Sequence, residues 1–297
     1  MRPGPACSRY GVVAALLACA ASAAQPITIT DDRGKAVALA VPAQRIVTLA
    51  PSLAELVFAA GAGGKLVGVA RDTDFPPAAR GLPQVGDAAR VEFERVLLLK
   101  PDLVLAWKSG NPAGDVERIE RLGIPVFITE PTRLGDIPRL LRALGALAAT
   151  DPPAERAASE FTNNINRLSK EFAGRARLRV FYQIWHKPLL TVNGAHIISD
   201  VIALCGGENI FADVAQLTPN VTLEAVITAR PEVVLGGGST GGEQALVSQW
   251  RESPVGELRK LPVFYIDPDL IQRQTPRIVD GAKAVCAALD KVRSRHR

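Results

Sequence analysis

One stretch of this chain is written twice. Val91–Trp107, VEFERVLLLKPDLVLAW, reads as a short helix, a Lys-Pro-Asp turn and a buried strand. Val221–Gly236, VTLEAVITARPEVVLG, repeats that order at a constant offset, 91 to 221 and 94 to 224. Val91/Val221, Glu94/Glu224, Val96/Val226, Lys100/Arg230, Pro101/Pro231, Asp102/Glu232, Val104/Val234 and Leu105/Leu235 match in type. Solenoid repeats recur at about 20–50 residues. A repeat at a domain's spacing predicts two lobes of one design instead.

The segments around each copy agree. Ile27–Leu39 alternates about Asp-Asp-Arg-Gly and predicts a hairpin. Arg45–Ala50 is a continuous apolar strand, of the kind covered on both faces. Ser52 is the expected N-cap of a helix over Leu53–Ala60. Strand Leu66–Val69, loop Asp72–Pro77, strand Leu103–Trp107, helix Gly114–Leu122, strand Val126–Ile128 and helix Leu134–Leu147 follow. Strand and helix alternate, which predicts an α/β fold with parallel sheets.

Thr150-Asp151-Pro152-Pro153 interrupts the alternation, and Ala154–Phe172 then runs as one helix with a single apolar stripe. Its 19 positions predict a rod of roughly 29 Å. Beyond it the first half is replayed: strand Val180–Ile184, helix Ile197–Leu204, the second copy of the unit, helix Glu243–Trp250, strand Val263–Ile266 and helix Pro276–Val292. The expected domains are an N-lobe over 45–150, a connecting helix over 152–173 and a C-lobe over 178–293. The fold expected is therefore two Rossmann-like lobes with parallel sheets, joined by a single long α-helix.

Residues 1–24 read as an export signal. Arg2 and Arg9 precede the short apolar core Gly11–Ala20, and Ala21-Ser22-Ala23-Ala24 offers small residues for cleavage. The core is too short to span a bilayer. Leu16-Leu17-Ala18-Cys19 also resembles a lipoprotein signal, but Leu17 is not the usual residue at its place, so simple cleavage is favoured. Removing Arg2 and Arg9 takes the net charge from +5 to about +3, which gives no reason to expect nucleic acid. Of four cysteines, Cys205 and Cys286 remain in the exported chain. An even pair in an oxidising compartment predicts a disulfide, with two buried free thiols as the other reading.

With these elements placed, RIVTLAPSLAELVFAAG, FPP, VEFERVLLLKPDLVLAWKSGN, CGGENIF and TPRI resemble the periplasmic iron-siderophore, haem and vitamin B12 binding proteins of ABC importers. The resemblance runs from about Arg45 to Val292. It implies cargo held in a cleft between the lobes, with cobalamin the leading cargo and haem or a ferric siderophore the alternative. It also implies that Glu94 and Glu224, one per lobe, dock into a dimeric inner-membrane permease. A carboxylate in a helix's first turn also complements the dipole, so either glutamate alone would carry little weight; their matched positions favour docking. The carrier itself is expected to be a monomer, and one stiff connecting helix predicts modest closure.

Cleft residues should lie at the carboxyl ends of strands. Pro51, Ser52, Asp72, Phe75, Trp107, Asn111, Trp185, His186, Leu270 and Arg273 occupy such places. Trp107 and Trp185 each follow a strand directly, an arrangement suited to holding a flat macrocycle between two aromatic faces. Ordinary packing is nearly as good an account of each, and Trp250 falls inside a helix and reads as core. The vitamin B12-binding relatives carry more cleft aromatics; Asp72, Ala88, Thr218 and Leu270 stand at the matching places here. His186 is placed to reach haem iron or corrin cobalt, though a lone histidine is more often a loop residue, and His186 and His196 lack metal-site spacing. No resident metal or cofactor is expected. Arg273 and Arg277 are candidates for cargo carboxylates or amides, or for surface ion pairs.

Enzyme signatures are weak. Gly236–Gly242, GGGSTGG, lacks the Gly-Lys-Ser/Thr ending of a phosphate loop, and there is no G-x-S-x-G elbow. Three histidines leave little for acid–base work. Asp72 and Asp74 form a close carboxylate pair that a turn explains. A two-lobed enzyme holding a metallocluster remains the alternative from another class, provided Cys205 and Cys286 are free.

Overall fold

The structure is a computed structural model that describes residues 26–87, 89–238 and 241–295. Residues 1–24, read above as an export signal, and Ala88 lie outside those residues. The N-lobe opens with the hairpin β1 (Ile27–Thr30) and β2 (Ala36–Leu39), then β3 (Ile46–Thr48), α1 (Pro51–Ala59), β4 (Leu66–Gly68) and a small hairpin of β5 (Gly86–Asp87) and β6 (Arg90–Val91). It continues with α2 (Phe93–Leu98), β7 (Leu103–Trp107), α3 (Ala113–Arg121), β8 (Val126–Thr129) and α4 (Asp136–Ala148). Then comes the connecting helix α5 (Asp151–Phe172). The C-lobe holds β9 (Leu178–Gln183), a hairpin of β10 (Trp185–His186) and β11 (Leu189–Leu190), α6 (Ile197–Leu204), β12 (Gly207–Asn209), α7 (Leu223–Thr228) and β13 (Val233–Gly236). It ends with α8 (Gly242–Arg251), β14 (Val263–Tyr265), α9 (Pro268–Ile271) and α10 (Ile278–Arg295).

Each lobe has a four-stranded parallel sheet, ordered β4-β3-β7-β8 and β12-β9-β13-β14. In both, the first strand lies between the second and the third. Crossovers therefore leave in opposite directions from the first strand, which makes a topological switch point beside it. The expected two-lobed α/β fold is what the chain adopts.

The repeat is a repeat of backbone as well as of letters. α2 and α7 end at Lys100 and Arg230, both left-handed at φ +46. Glycine usually takes that place, but here proline follows, and proline disfavours helical backbone in the residue before it. One arginine per lobe satisfies the helix-end carbonyls. Arg45 donates to Leu99 (2.6 Å) and Lys100; Arg179 donates to Ala229 (2.7 Å) and Arg230. The acid after the proline accepts from the backbone entering the first strand: Asp102 from Gln44 and Arg45, Glu232 from Arg179. The Lys/Arg-Pro-Asp/Glu signature thus ties each short helix to its own sheet.

Three boundaries differ from expectation. α1 begins at Pro51, its N-cap is Ala50, and no side chain caps it, so Ser52 is not the cap. Proline's fixed φ suits the first helical position. The connecting helix takes Asp151-Pro152-Pro153 into its first turn. CGGENIF contains a strand, β12, that its two glycines disguise.

One apolar core runs through both lobes. It joins α1 and α4 to α5 and continues into α6, α10 and strand β9. α4 and α5 pack closely because Gly145 has no side chain; a Cβ there would lie 2.4 Å from that of Ala154. Two satellite cores cover the outer sheet faces, one around Val104 and Val116, the other around Phe181 and Trp250. Trp250 is buried and meets Phe181 edge-on at 5.4 Å. Cys205 and Cys286 form a disulfide between the end of α6 and α10, with Cα atoms 4.7 Å apart and a sequence separation of 81.

Candidate functional site

The chain just past β7 and β8 faces the chain just past β9 across a cleft. A cavity of about 320 Å³ lies there, walled by Trp107, Ser109, Glu130, Pro131 and Thr132 from the N-lobe. Ile184, His196, Ile198, Gln216, Leu217, Thr218, Gln272 and Gln274 close it from the C-lobe. Such a volume is near the lower end of the range for small-molecule sites.

Trp107 ends β7, and its surroundings are built to hold it. Its backbone N–H donates to Asn111 Oδ1 at 2.7 Å, while Asn111 Nδ2 donates to the Leu49 carbonyl at 3.0 Å. The ring lies against Gly110, where a Cβ would stand 1.8 Å from it. Trp107 Nε1 is buried and has no hydrogen-bond partner. On the same rim, Glu130 accepts from the backbone and hydroxyl of Ser109 at 2.7 and 2.9 Å.

His196 is the N-cap of α6, and its Nδ1 accepts from Ile198 N–H at 3.2 Å. That bond leaves the ring proton on Nε2. Burial pushes its pKa down to about 4, so the ring stays neutral. Gln272 Nε2 is buried without a partner.

Trp185 and His186 form the hairpin strand β10, with ring centroids 5.4 Å apart. Trp185 is exposed, and its Nε1 donates to the Lys187 carbonyl. His186 Nδ1 is buried and unpartnered.

Two of the remaining sequence candidates, Phe75 and Arg273, belong to a network that crosses between the lobes. Glu55 of α1 is buried at 3% exposure. It accepts from Arg273 at 3.0 Å, Arg277 at 3.1 Å and the Thr275 hydroxyl at 2.9 Å. Arg273 also pairs with Asp74 at 2.6 Å and Asp269 at 3.0 Å. The Arg277 guanidinium lies 4.2 Å above the Phe75 ring. Partial burial works against the Asp74 carboxylate, but the Arg273 hydrogen bond and charge outweigh it and hold its pKa below the usual value. On the other flank, Arg133 pairs with Asp200 at 2.6 Å, and Leu134 N–H donates to the same carboxylate.

Of the ten sequence candidates, Trp107 lines the cavity. Asn111 is buried beneath it and anchors its turn. Asp72, exposed and left-handed at φ +63, and Phe75 sit on the loop that carries Asp74. Arg273 spends its guanidinium on the cross-lobe network. Pro51 and Ser52 are half-buried at the start of α1, and Leu270 is half-buried in α9. Sequence reasoning missed Glu130, Thr132, Gln272 and Gln274 as lining residues, and missed Glu55 altogether. Glu130 follows β8 directly, so the rule that found Trp107 would have found it.

Glu94 and Glu224 are exposed in the first turns of α2 and α7. Glu224 is held below the usual carboxylate range by its own backbone N–H and the Thr222 hydroxyl. Glu94 makes no ion pair among the described residues. Arg71 and Arg95 close by pair with Asp87 and Glu92 instead.

Comparison with known proteins places this geometry. The periplasmic binding protein family matches residues 46–255. A vitamin B12-binding protein of Yersinia pestis is 36% identical over 257 residues, covering 86% of this chain and 90% of the relative. One from Vibrio parahaemolyticus is 33% identical over 252 residues, covering 85% and 91%. The crystal structure of the periplasmic vitamin B12 binding protein BtuF of Vibrio cholerae superposes with a TM-score of 0.77 at 33% identity, covering 85% of this chain and 98% of that one. With two lobes on one helix, a cleft at the strand ends and these relatives along nearly its whole length, the chain belongs to the periplasmic binding protein family.

Proposed function

We propose that this protein is a non-enzymatic periplasmic carrier that captures a corrinoid, cobalamin, in the interlobe cleft and delivers it to an inner-membrane ABC permease. Residues 1–24 would direct export and be cleaved, in preference to lipid anchoring at Cys19. The observation that carries the reading is Trp107, presented at the cleft by a turn devoted to it, in a chain whose relatives over the same length are vitamin B12-binding proteins. A corrinoid is larger than the cavity, so it would lie in the open cleft between Trp107 and Trp185 with one edge in the cavity. Amide side chains on the macrocycle would meet Gln272, Gln274 and the Nε2–H of His196.

Glu94 and Glu224 would dock into arginines of a two-fold permease. Paired anions at matched positions fix orientation and speed encounter. Cys205 and Cys286 are bonded to each other at the end of α6, away from the strand ends, and so offer no thiolate to a metallocluster in the cleft. A haem or ferric siderophore is the second reading. It is favoured by a cavity with a single aromatic wall and several polar ones.

Calorimetric titration with cyanocobalamin, haem and a set of ferric siderophores tests the choice. Tight binding of cyanocobalamin is expected. No heat with cyanocobalamin and tight binding of another ligand would replace the cargo.

A further inference from the structure

The two copies of the repeated helix differ in what they show to solvent. On α2, Leu98 stands one turn beyond Glu94 and is 79% exposed, with Leu97 beside it at 45%. Among the described residues no other large apolar side chain is as exposed as Leu98. The helix does not need it inward: Val96 and Leu99 already pack on the satellite core. On α7 the matching positions are Ile227, half-buried, and Thr228, whose hydroxyl donates to the Glu224 carbonyl at 2.9 Å.

Residues four apart share a helix face, so Glu94 and Leu98 are presented together. We propose that Leu98, flanked by Leu97, is an apolar anchor for the permease at the N-lobe docking point, and that the C-lobe has no counterpart. The proposal rests on the reading of Glu94 and Glu224 as docking carboxylates. The partner surface it fits is a basic side chain beside an apolar socket. A second copy of this chain fits poorly, because a two-fold contact through Leu98 brings two Glu94 carboxylates together. A symmetric permease would then hold the carrier unequally, with the firmer grip at the N-lobe.

The test uses the exported carrier and its permease reconstituted in nanodiscs, comparing wild type, Leu98→Ser, Thr228→Leu and Glu94→Arg. Permease affinity and cyanocobalamin affinity are read separately. Leu98→Ser should weaken permease binding five- to tenfold and leave cargo binding unchanged. Thr228→Leu should tighten permease binding by supplying the missing anchor. If Leu98→Ser binds the permease like wild type while Glu94→Arg does not, the anchor is overturned and docking through Glu94 stands. If Glu94→Arg also binds normally, both fall. Loss of sedimentation with anionic vesicles at unchanged permease affinity would overturn the anchor in favour of a lipid contact.

Discussion

Glu55 and Arg273 meet across the two lobes at 3.0 Å, although 218 positions separate them in the chain. The carboxylate belongs to the first helix of the N-lobe and the guanidinium to the segment before the last helix of the C-lobe. Breaking a buried pair by removing one partner typically costs about 3–5 kcal/mol, because the other charge is left behind. Glu55→Ala should therefore lower unfolding stability by about 3 kcal/mol. Glu55→Gln, which keeps an acceptor, should cost less. Urea denaturation of the two variants checks the order; equal losses would show that the charge, removed in both, carries the whole effect and the retained acceptor none.

The disulfide should be worth about 4 kcal/mol, since closing a loop of this length removes that much entropy from the unfolded chain. The double variant Cys205→Ser/Cys286→Ser and the reduced wild type should melt together, several degrees below the oxidised protein. A reduced protein as stable as the oxidised one would contradict this.

His196 predicts a pH slope. Its folded pKa, about 4, lies below the usual 6.5, so the unfolded chain binds the proton more readily. The contribution is complete above about pH 6.5, falls as the pH drops towards 4, and changes no further below that. Asparagine accepts an N-cap hydrogen bond without titrating. His196→Asn should flatten the slope in that window at little cost near neutrality, as measured by denaturant midpoints across pH.

Trp107 and Gly110 should fail together. Trp107→Ala removes the aromatic wall, and Gly110→Ala places a methyl group where the ring lies. Each should weaken cyanocobalamin binding at least tenfold, about 1.4 kcal/mol. Calorimetry reads both, with circular dichroism to show that the fold is kept. Wild-type affinity in both would remove Trp107 from the cargo site.

Local chemistry was legible in the letters. Pro-Asp and Pro-Glu after the repeated helices announced the turns, and the apolar stripe of Ala157, Phe161, Leu168 and Phe172 announced the connecting helix. The exported context of Cys205 and Cys286 announced their bond. What stayed hidden depends on distant partners. Glu55 looks like a surface residue in SLAELVFAAG because Arg273, Thr275 and Arg277 lie over 200 positions away. Gln272 and Gln274 flank the chosen Arg273, but only the turn of the chain after α9 decides that the glutamines face the cavity while the arginine turns to Glu55. Trp107 was legible because a strand end has a fixed place in this architecture.

The core that passes unbroken from α1 through α5 to α6 and α10 has a cost for a carrier. Lobes that share one interior should change outline little, so an empty molecule and a full one would offer the proposed permease nearly the same shape. Unladen copies would then occupy the entrance that laden ones need. Uptake should rise with carrier abundance only while cargo keeps pace, and fall once most of the pool travels empty.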